Sequence, residues 1–364
     1  MENRIVLHVD FDYFYAQCEE SRNPDLKGKP VVVCIFSDRG GDSGAVATAN
    51  YTARKFGVKS GIPIAFAKSR LKDSIESVFL SADFDYYSDI SSSAMSIIES
   101  FADVFEYVGR DEAYLDVTSR TDSDFERASH IAQQLKNEIQ KKIKMTCSVG
   151  VSPNKLISKI ASDYKKPDGL TIIKPTEIMK FLGSLELRKI PGIGKKTESV
   201  FTDLNCRIID DILKFDVFEL NKKFGRKTGT YIYNCARGID NNLVKLRAPT
   251  IQFSKIITLK ENSKDLEFLS DNLKILCKQV NTISVEKQKM FRSVGIQFVN
   301  EDLTTKTKSR MLKNPTNSVA ELEKVSLQLL IGALENQELL IRRLGLRVSE
   351  LTDVEGQSDI TSYF

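Results

Sequence analysis

Two short apolar runs, far apart in the chain, each end in acid: IVLHVDFDYFY carries Asp10, and FEYVGRDEAYLD carries Asp111 and Glu112. Their β-branched and aromatic residues read as strands. A fold that pairs the two sets three carboxylates at the lip of one sheet. Like charges that close repel and must also give up water, so such a site demands counter-charge. Hard divalent cations bound through oxygen supply it. Three carboxylates holding two such ions are the general apparatus for in-line displacement at phosphorus, so metal-dependent phosphoryl or nucleotidyl transfer is the chemistry expected. A single acid after a strand is more often a turn or cap residue. Asp12 and Asp116 lie in the same motifs and are read as solvent-facing or structural, Asp12 as a turn or helix-cap residue rather than a fourth ligand. His8 is read as a packed, hydrogen-bonded core histidine, since Mg²⁺ prefers oxygen.

Between the acids lies SDRGGDSGAVATANYTARKFGVKSGIP, residues 37 to 63. A Gly-rich stretch leads into what reads as a helix from about Ala45 to Phe56, stopped by Gly57. Ser43-Gly44 at its entrance is expected to offer free N–H groups to an anion. Thr48, Tyr51 and Arg54 recur every three residues and so share one face of that helix. A hydroxyl, a phenol and a bidentate guanidinium suit triphosphate oxygens.

A chain of 364 residues exceeds one hydrophobic core and is expected to divide into two to four domains. No apolar run approaches a membrane span, and the N-terminus lacks a signal-peptide pattern. The six cysteines show no metal-site spacing and read as reduced thiols of a cytosolic protein. Charge is unevenly divided: residues 1–174 hold 23 Lys+Arg against 25 Asp+Glu, residues 175–348 hold 30 against 20, and the last sixteen hold four acids and no base. A basic half beside an acidic one suits a protein that grips a phosphate backbone with one part and places metals with another. Within the basic half, LRKIPGIGKKTESVF turns at Gly192 and Gly194 before Lys195-Lys196 open a helix, a backbone arrangement able to bind a DNA phosphate. NLVKLRAPTI, residues 242 to 251, reads as a linker. Beyond it, strand-like SKIITLK, FRSVGIQFVN and RRLGLRVSE alternate with helical runs near 265–285 and 318–335. Cations in TLK, TKTKSR and RRLGLR are candidates to face a DNA groove.

DFDYFYAQCEE, SGAVATANYTARKFGVKSGIP, DEAYLD, SVGVSPNKLISKIASDYKKPDGL and KIPGIGKKT follow one another as in the Y-family lesion-bypass DNA polymerases, and the chain most resembles their archaeal DNA polymerase IV-like group. The resemblance implies an α+β multidomain, right-hand architecture: palm at 1–21 and 81–174, small fingers at 22–80, a helical helix-hairpin-helix thumb at 175–241, a linker at 242–251 and an α+β little finger at 252–348. It implies that Asp10, Asp111 and Glu112, with the backbone carbonyl of Phe11, hold two Mg²⁺ ions. Tyr13, Tyr15, Thr48, Tyr51, Arg54 and Lys166 would contact the incoming dNTP, Tyr15 being the steric gate against a 2′-hydroxyl. Ile35, Gly44 and Ala45 match the slight roof over the nascent base pair, and Gly192, Gly194, Lys195 and Lys196 the DNA clamp of the thumb. The family usually has Ser and an apolar residue where this chain has Gly109-Arg110, so primer positioning is the part least carried over.

The implied function is template-directed, low-fidelity translesion synthesis on primer–template DNA by a cytoplasmic monomer. No second acidic nuclease motif accompanies it, so proofreading is not expected. A non-catalytic DNA- and clamp-binding paralogue would more readily have lost one of the three carboxylates. Residues 349–356 are read as a flexible acidic tether. Gln357, Ile360, Tyr363 and Phe364 follow with the spacing of peptides that bind a PCNA-like sliding clamp.

Overall fold

The computed structural model describes residues 4–74, 76–246, 249–335 and 337–354. It divides into one unit of residues 1–35, 45–62 and 66–248 and another of 36–44, 63–65 and 249–364. Among the described residues no helix is long and apolar enough to cross a membrane.

The first unit is built on a five-stranded sheet in the order Val104–Tyr107, Glu112–Asp116, Val6–Phe11, Cys147–Ser152, Leu170–Ile172. Val6–Phe11 is central and antiparallel to both neighbours. Alternation along it decides the two faces. Ile5, Leu7, Val9 and Phe11 join the main core with residues of the helices Phe84–Ser100 and Phe125–Ile143. Val6, His8 and Asp10 take the opposite side, where the helix Lys155–Tyr164 packs. Gly150 permits that packing: a Cβ there would lie 2.0 Å from the Ser158 carbonyl oxygen and 2.5 Å from the Ser162 nitrogen. Only a glycine lets the helix come this close to the strand.

A three-stranded sheet orders Gly44–Ala49, Val31–Phe36 and Val78–Ser81. This corrects the expected helix from Ala45 to Phe56. Residues 44–49 are a strand, and only Tyr51–Arg54 are helical. The short side chains of AVATA tolerate either geometry, and pairing with Val31–Phe36 decides for the strand. Asn50 then starts the helix, its Oδ1 accepting the Ala53 N–H at 2.9 Å as well as the Val31 N–H at 3.1 Å. The expected anion site at Ser43-Gly44 is not a helix entrance, and the Ser43 N–H is spent on the Gly40 carbonyl.

After the sheet, short helices gather around Leu182, Leu187, Ile190, Ile193, Phe201 and Ile212. The turn at Gly192 (φ +86°) and Gly194 leads into the helix Lys195–Asp203, and the Tyr231 hydroxyl donates to the Pro191 carbonyl at 2.7 Å. Gly192, Gly194, Lys195 and Lys196 are all exposed. Of the expected linker, Val244 packs on Val6 and Tyr114.

The second unit holds an antiparallel sheet ordered Thr305–Thr316, Lys289–Asn300, Ile341–Asp353, Gln252–Ser263, with helices Leu266–Glu286 and Val319–Leu334 sharing its core. One expectation is corrected here. The last strand runs to Asp353, pairing Leu351 with Phe291 and Asp353 with Lys289, so 349–353 are not tether; Leu351 packs on the core and sustains the pairing. Among the strand cations, Lys306, Lys308 and Arg310 bond Gln337, Gly332 and Gln328, the last two in the Val319–Leu334 helix. Arg343 and Arg347 instead line an open depression with Gly295, Gly345 and Gln297. Alternation separates the two groups. Residues 355–364, with the candidate clamp-binding positions, lie outside the described residues.

Candidate active site

Strand register makes the acidic centre. Asp10 is paired directly with Glu112, and the Phe11 N–H donates to the Asp111 carbonyl at 2.8 Å. Two strands far apart in sequence thus deliver three carboxyl groups to one edge. Asp10 and Asp111 line a cavity of about 190 Å³ with Phe11, Tyr13, Tyr15, Thr48, Arg54 and Lys166. Of the residues expected to hold metal or the triphosphate, all but Glu112 and Tyr51 lie in that lining, whereas Ile35, Gly44 and Ala45, expected over the base pair, do not. Ala47 and Ser60 line it too. Neither carried a signal in the sequence, being small residues of ordinary strand and turn segments.

The carboxyl groups are not equivalent. Burial raises the Asp10 pKa, opposed by the Lys166 ammonium that donates to its Oδ1. Burial and then the neighbouring Glu112 charge raise Asp111. Glu112 goes the other way, held at about 2 by the His8 hydrogen bond and by Lys159 against its own partial burial. His8 is fully buried, with Nε2 3.2 Å from Glu112 Oε2 and Nδ1 2.7 Å from Ser162 Oγ. Burial lowers its pKa, so it stays neutral, and the carboxylate assigns the proton to Nε2. Here the two partners press in opposite directions, and burial of the imidazole decides. Lys159, which the sequence reading missed, comes from the helix that Gly150 admits.

Donor chemistry fits hard divalent cations. Asp10, Glu112 and His8 offer atoms within 4.8 Å of one another, but both His8 nitrogens are engaged, leaving carboxylate oxygen as the donor set. Ammonium groups on Asp10 and Glu112 show that these oxygens draw cations.

The residues expected to meet the nucleotide are preordered. Arg54 Nε donates to the Ala49 carbonyl at 2.8 Å, and its guanidinium lies 4.8 Å from the Tyr51 ring centroid. The Tyr51 hydroxyl is buried without a hydrogen-bond partner. Tyr13 holds a left-handed backbone (φ 38°), uncommon outside glycine, and its ring stands edge-on to Tyr51 at 5.3 Å. Thr48 reaches the cavity from a strand and Arg54 from the following helix, rather than from one helix face. Arg110 turns towards the helix Phe84–Ser100, its Nε donating to Ser88 Oγ at 3.1 Å. Asp12 is fully buried and, contrary to the cap expectation, caps no helix: its oxygens accept Thr146 Oγ1–H, Ser148 Oγ–H and the Asp168 N–H, each at 2.8 Å. Asp116 has a structural role, its Oδ1 accepting the Thr118 N–H.

The chain is similar to known proteins. Residues 9–163 match the impB/mucB/samB family model, 251–361 that family's C-terminal domain, and 188–240 the thumb domain of DNA polymerase-iota. DNA polymerase IV of Nitrosopumilus maritimus is 66% identical over the whole of both chains. DNA polymerase IV of Saccharolobus solfataricus is 37% identical over 97% of this chain and 98% of its own. A solved Y-family polymerase chimera of Dbh and Dpo4 superposes with a TM-score of 0.89 at 34% identity, covering 96% of this chain and 99% of the other. An insertion ternary complex of Dbh DNA polymerase superposes at 0.69 with 35% identity, covering 95% and 98%. The chain therefore belongs to the Y-family DNA polymerases, within their DNA polymerase IV group.

Proposed function

We propose that this polymerase extends a primer 3′-hydroxyl with dNTPs across damaged and undamaged template, with low fidelity and without proofreading. The observation that carries the reading is the cross-strand pair Asp10–Glu112, with Asp111 in one cavity beside Tyr15, Thr48, Arg54 and Lys166. Asp10, Asp111, Glu112 and the Phe11 carbonyl would hold two Mg²⁺ ions. Bound there, the metal supplies acidification of the attacking hydroxyl and charge neutralisation on the leaving pyrophosphate. The chain's own residues do the rest. Lys166 and Arg54 offset triphosphate charge as a point cation and a planar fork. The Tyr51 hydroxyl, buried and unpartnered, gains a partner in a phosphate oxygen. Tyr13 braces Tyr51, and the Tyr15 ring underlies the sugar and clashes with a 2′-hydroxyl.

In this reading 1–21 with 81–174 form the palm, 22–80 the fingers, 175–241 the thumb and the second sheet the little finger. The exposed turn of Gly192, Gly194, Lys195 and Lys196 grips a DNA phosphate without reading sequence. Arg343 and Arg347, on the open depression of the second sheet, do the same there. Gln357, Ile360, Tyr363 and Phe364 dock on a PCNA-like sliding clamp, and the polymerase is otherwise a monomer. Six free, buried cysteines suit a reducing cytoplasm. Primer extension with Mg²⁺ on undamaged and abasic templates tests the reading. Synthesis past the abasic site is expected, and absence of any extension on intact template would refute it.

A further inference from the structure

We propose that Asp12 is a positioning residue for Lys166. The proposal rests on the reading of Lys166 as a triphosphate contact. Lys166 sits in the tight turn Lys165–Gly169, and that turn has no slack. A Cβ on Gly169 would lie 2.4 Å from the Lys165 carbonyl oxygen, and Asp168 holds a left-handed φ of 55°.

Two buried charged side chains hold the turn from opposite chemical directions. Asp12 Oδ2 accepts the Asp168 N–H at 2.8 Å, while Asp12 Oδ1 accepts Ser148 Oγ–H at 2.8 Å. The same Ser148 oxygen accepts the next amide of the turn, Gly169 N–H, at 3.2 Å. From the other side, the Lys136 ammonium donates to the Asp168 carbonyl at 2.9 Å and to the Cys147 carbonyl at 2.6 Å, with its side chain only 7% exposed. The turn therefore has one N–H tied to Asp12, just after the strand Val6–Phe11, the next tied to Ser148 of the neighbouring strand, and its carbonyl held by Lys136, which also bonds that neighbouring strand at Cys147. Lys166, two residues before the Asp12-bound amide, donates to Asp10, two residues before Asp12. One short loop of bonds so links the metal-binding acid, the buried acid and the triphosphate cation. Buried carboxylates are costly unless fully bonded, and Asp12 is bonded at both oxygens; what that arrangement secures is the place of the Lys166 ammonium.

The test is a double-mutant cycle read in dNTP titrations at saturating primer–template DNA. Asp12→Asn keeps the shape but replaces one acceptor oxygen with an N–H donor, so the carboxamide cannot satisfy all three donors. Asp12→Asn is expected to raise the KM for dNTP about tenfold with kcat within about threefold, and to add less than about twofold in a Lys166→Ala background. Equal effects in the two backgrounds, or a loss confined to kcat, would overturn the positioning role. Lys166→Ala leaving KM unchanged would refute the triphosphate reading itself and the proposal with it. Should Asp12→Asn not fold, Ser148→Ala removes the Gly169 acceptor more gently and must show the same dependence on Lys166, about threefold in KM; independence from Lys166 overturns the proposal.

Discussion

Tyr15 lies on Tyr87 with ring centroids 4.6 Å apart and planes 19° from parallel. Phe84 stands edge-on to Tyr15 at 5.8 Å, and the Tyr87 hydroxyl donates to Glu19 at 2.6 Å, so the ring beneath Tyr15 is itself anchored. A gate must resist being pushed. Here a fully buried aromatic provides the backing, and in the proposed gate role exclusion of a 2′-hydroxyl would be repulsive rather than attractive.

Tyr15→Ala is accordingly expected to lower discrimination against ribonucleotides by on the order of a hundredfold while dNTP incorporation changes little. Steady-state incorporation of matched rNTP and dNTP opposite one template base measures it. Unchanged discrimination would assign the gate to another side chain.

Asp111→Ala is expected to reduce extension by at least about a thousandfold, with primer–template affinity within about threefold of the parent. Asp111 is in the cavity beside Asp10, and in the proposed role its charge would hold cation rather than DNA. Substantial residual synthesis would remove the metal assignment; collapse of DNA binding would recast the residue as structural.

Packing between the Lys155–Tyr164 helix and the central sheet depends on Gly150. A methyl there collides with backbone atoms, which do not yield as a flexible side chain does. Gly150→Ala should cost about 1–3 kcal/mol in denaturant unfolding. It should also weaken activity, since Lys159 and Ser162 ride on the displaced helix. A stable, fully active variant would show that the sheet and helix can part cheaply.

His8 gives the fold a pH dependence whose sign is fixed. Its folded pKa lies below the ordinary imidazole value of 6.5, so between the two the unfolded chain carries the extra proton. Stability therefore falls as pH drops below about 6.5 and goes on falling until folded His8 itself is protonated. Glu112 acts in a separate, more acidic window, contributing stability above 4.5 that is lost as pH falls towards its folded value of about 2. In metal-free buffer, Tm should decline more steeply between pH 7 and pH 5.5 for the parent than for His8→Gln. Parallel curves would mean that His8 titrates normally.

The acidic centre was legible because Asp10 and the Asp111-Glu112 pair each end a run whose composition allows little but a strand, and register follows from burying the apolar alternates. The second sheet and its two helices were equally plain in the alternation of residues 252–350. Residues 44–49 misled because Ala and Thr at helical spacing are also Ala and Thr on a strand, and only the pairing with Val31–Phe36 chooses. Leu351 was lost among acids, although one well-placed leucine is enough to prolong a strand that already has a partner. Lys159, Ser148 and Lys136 were invisible for another reason. Each acts on a residue more than ten positions away, across a fold that local pattern does not encode.

With the last strand ending at Asp353, only a short segment separates the second sheet from Gln357, Ile360, Tyr363 and Phe364. A short tether gives a high effective concentration of the polymerase at a clamp-bound primer end, and aromatic anchors usually dominate so small an interface. Removing residues 357–364 should leave clamp-free extension within about twofold of the parent and abolish stimulation by a PCNA-like clamp. Tyr363→Ala with Phe364→Ala should reproduce that loss without shortening the chain. The cavity around Asp10 is lined by residues between 10 and 166, so the KM for dNTP in clamp-free assays should not move. Equal stimulation of parent and truncated polymerase would show that the clamp, if it binds, is held elsewhere.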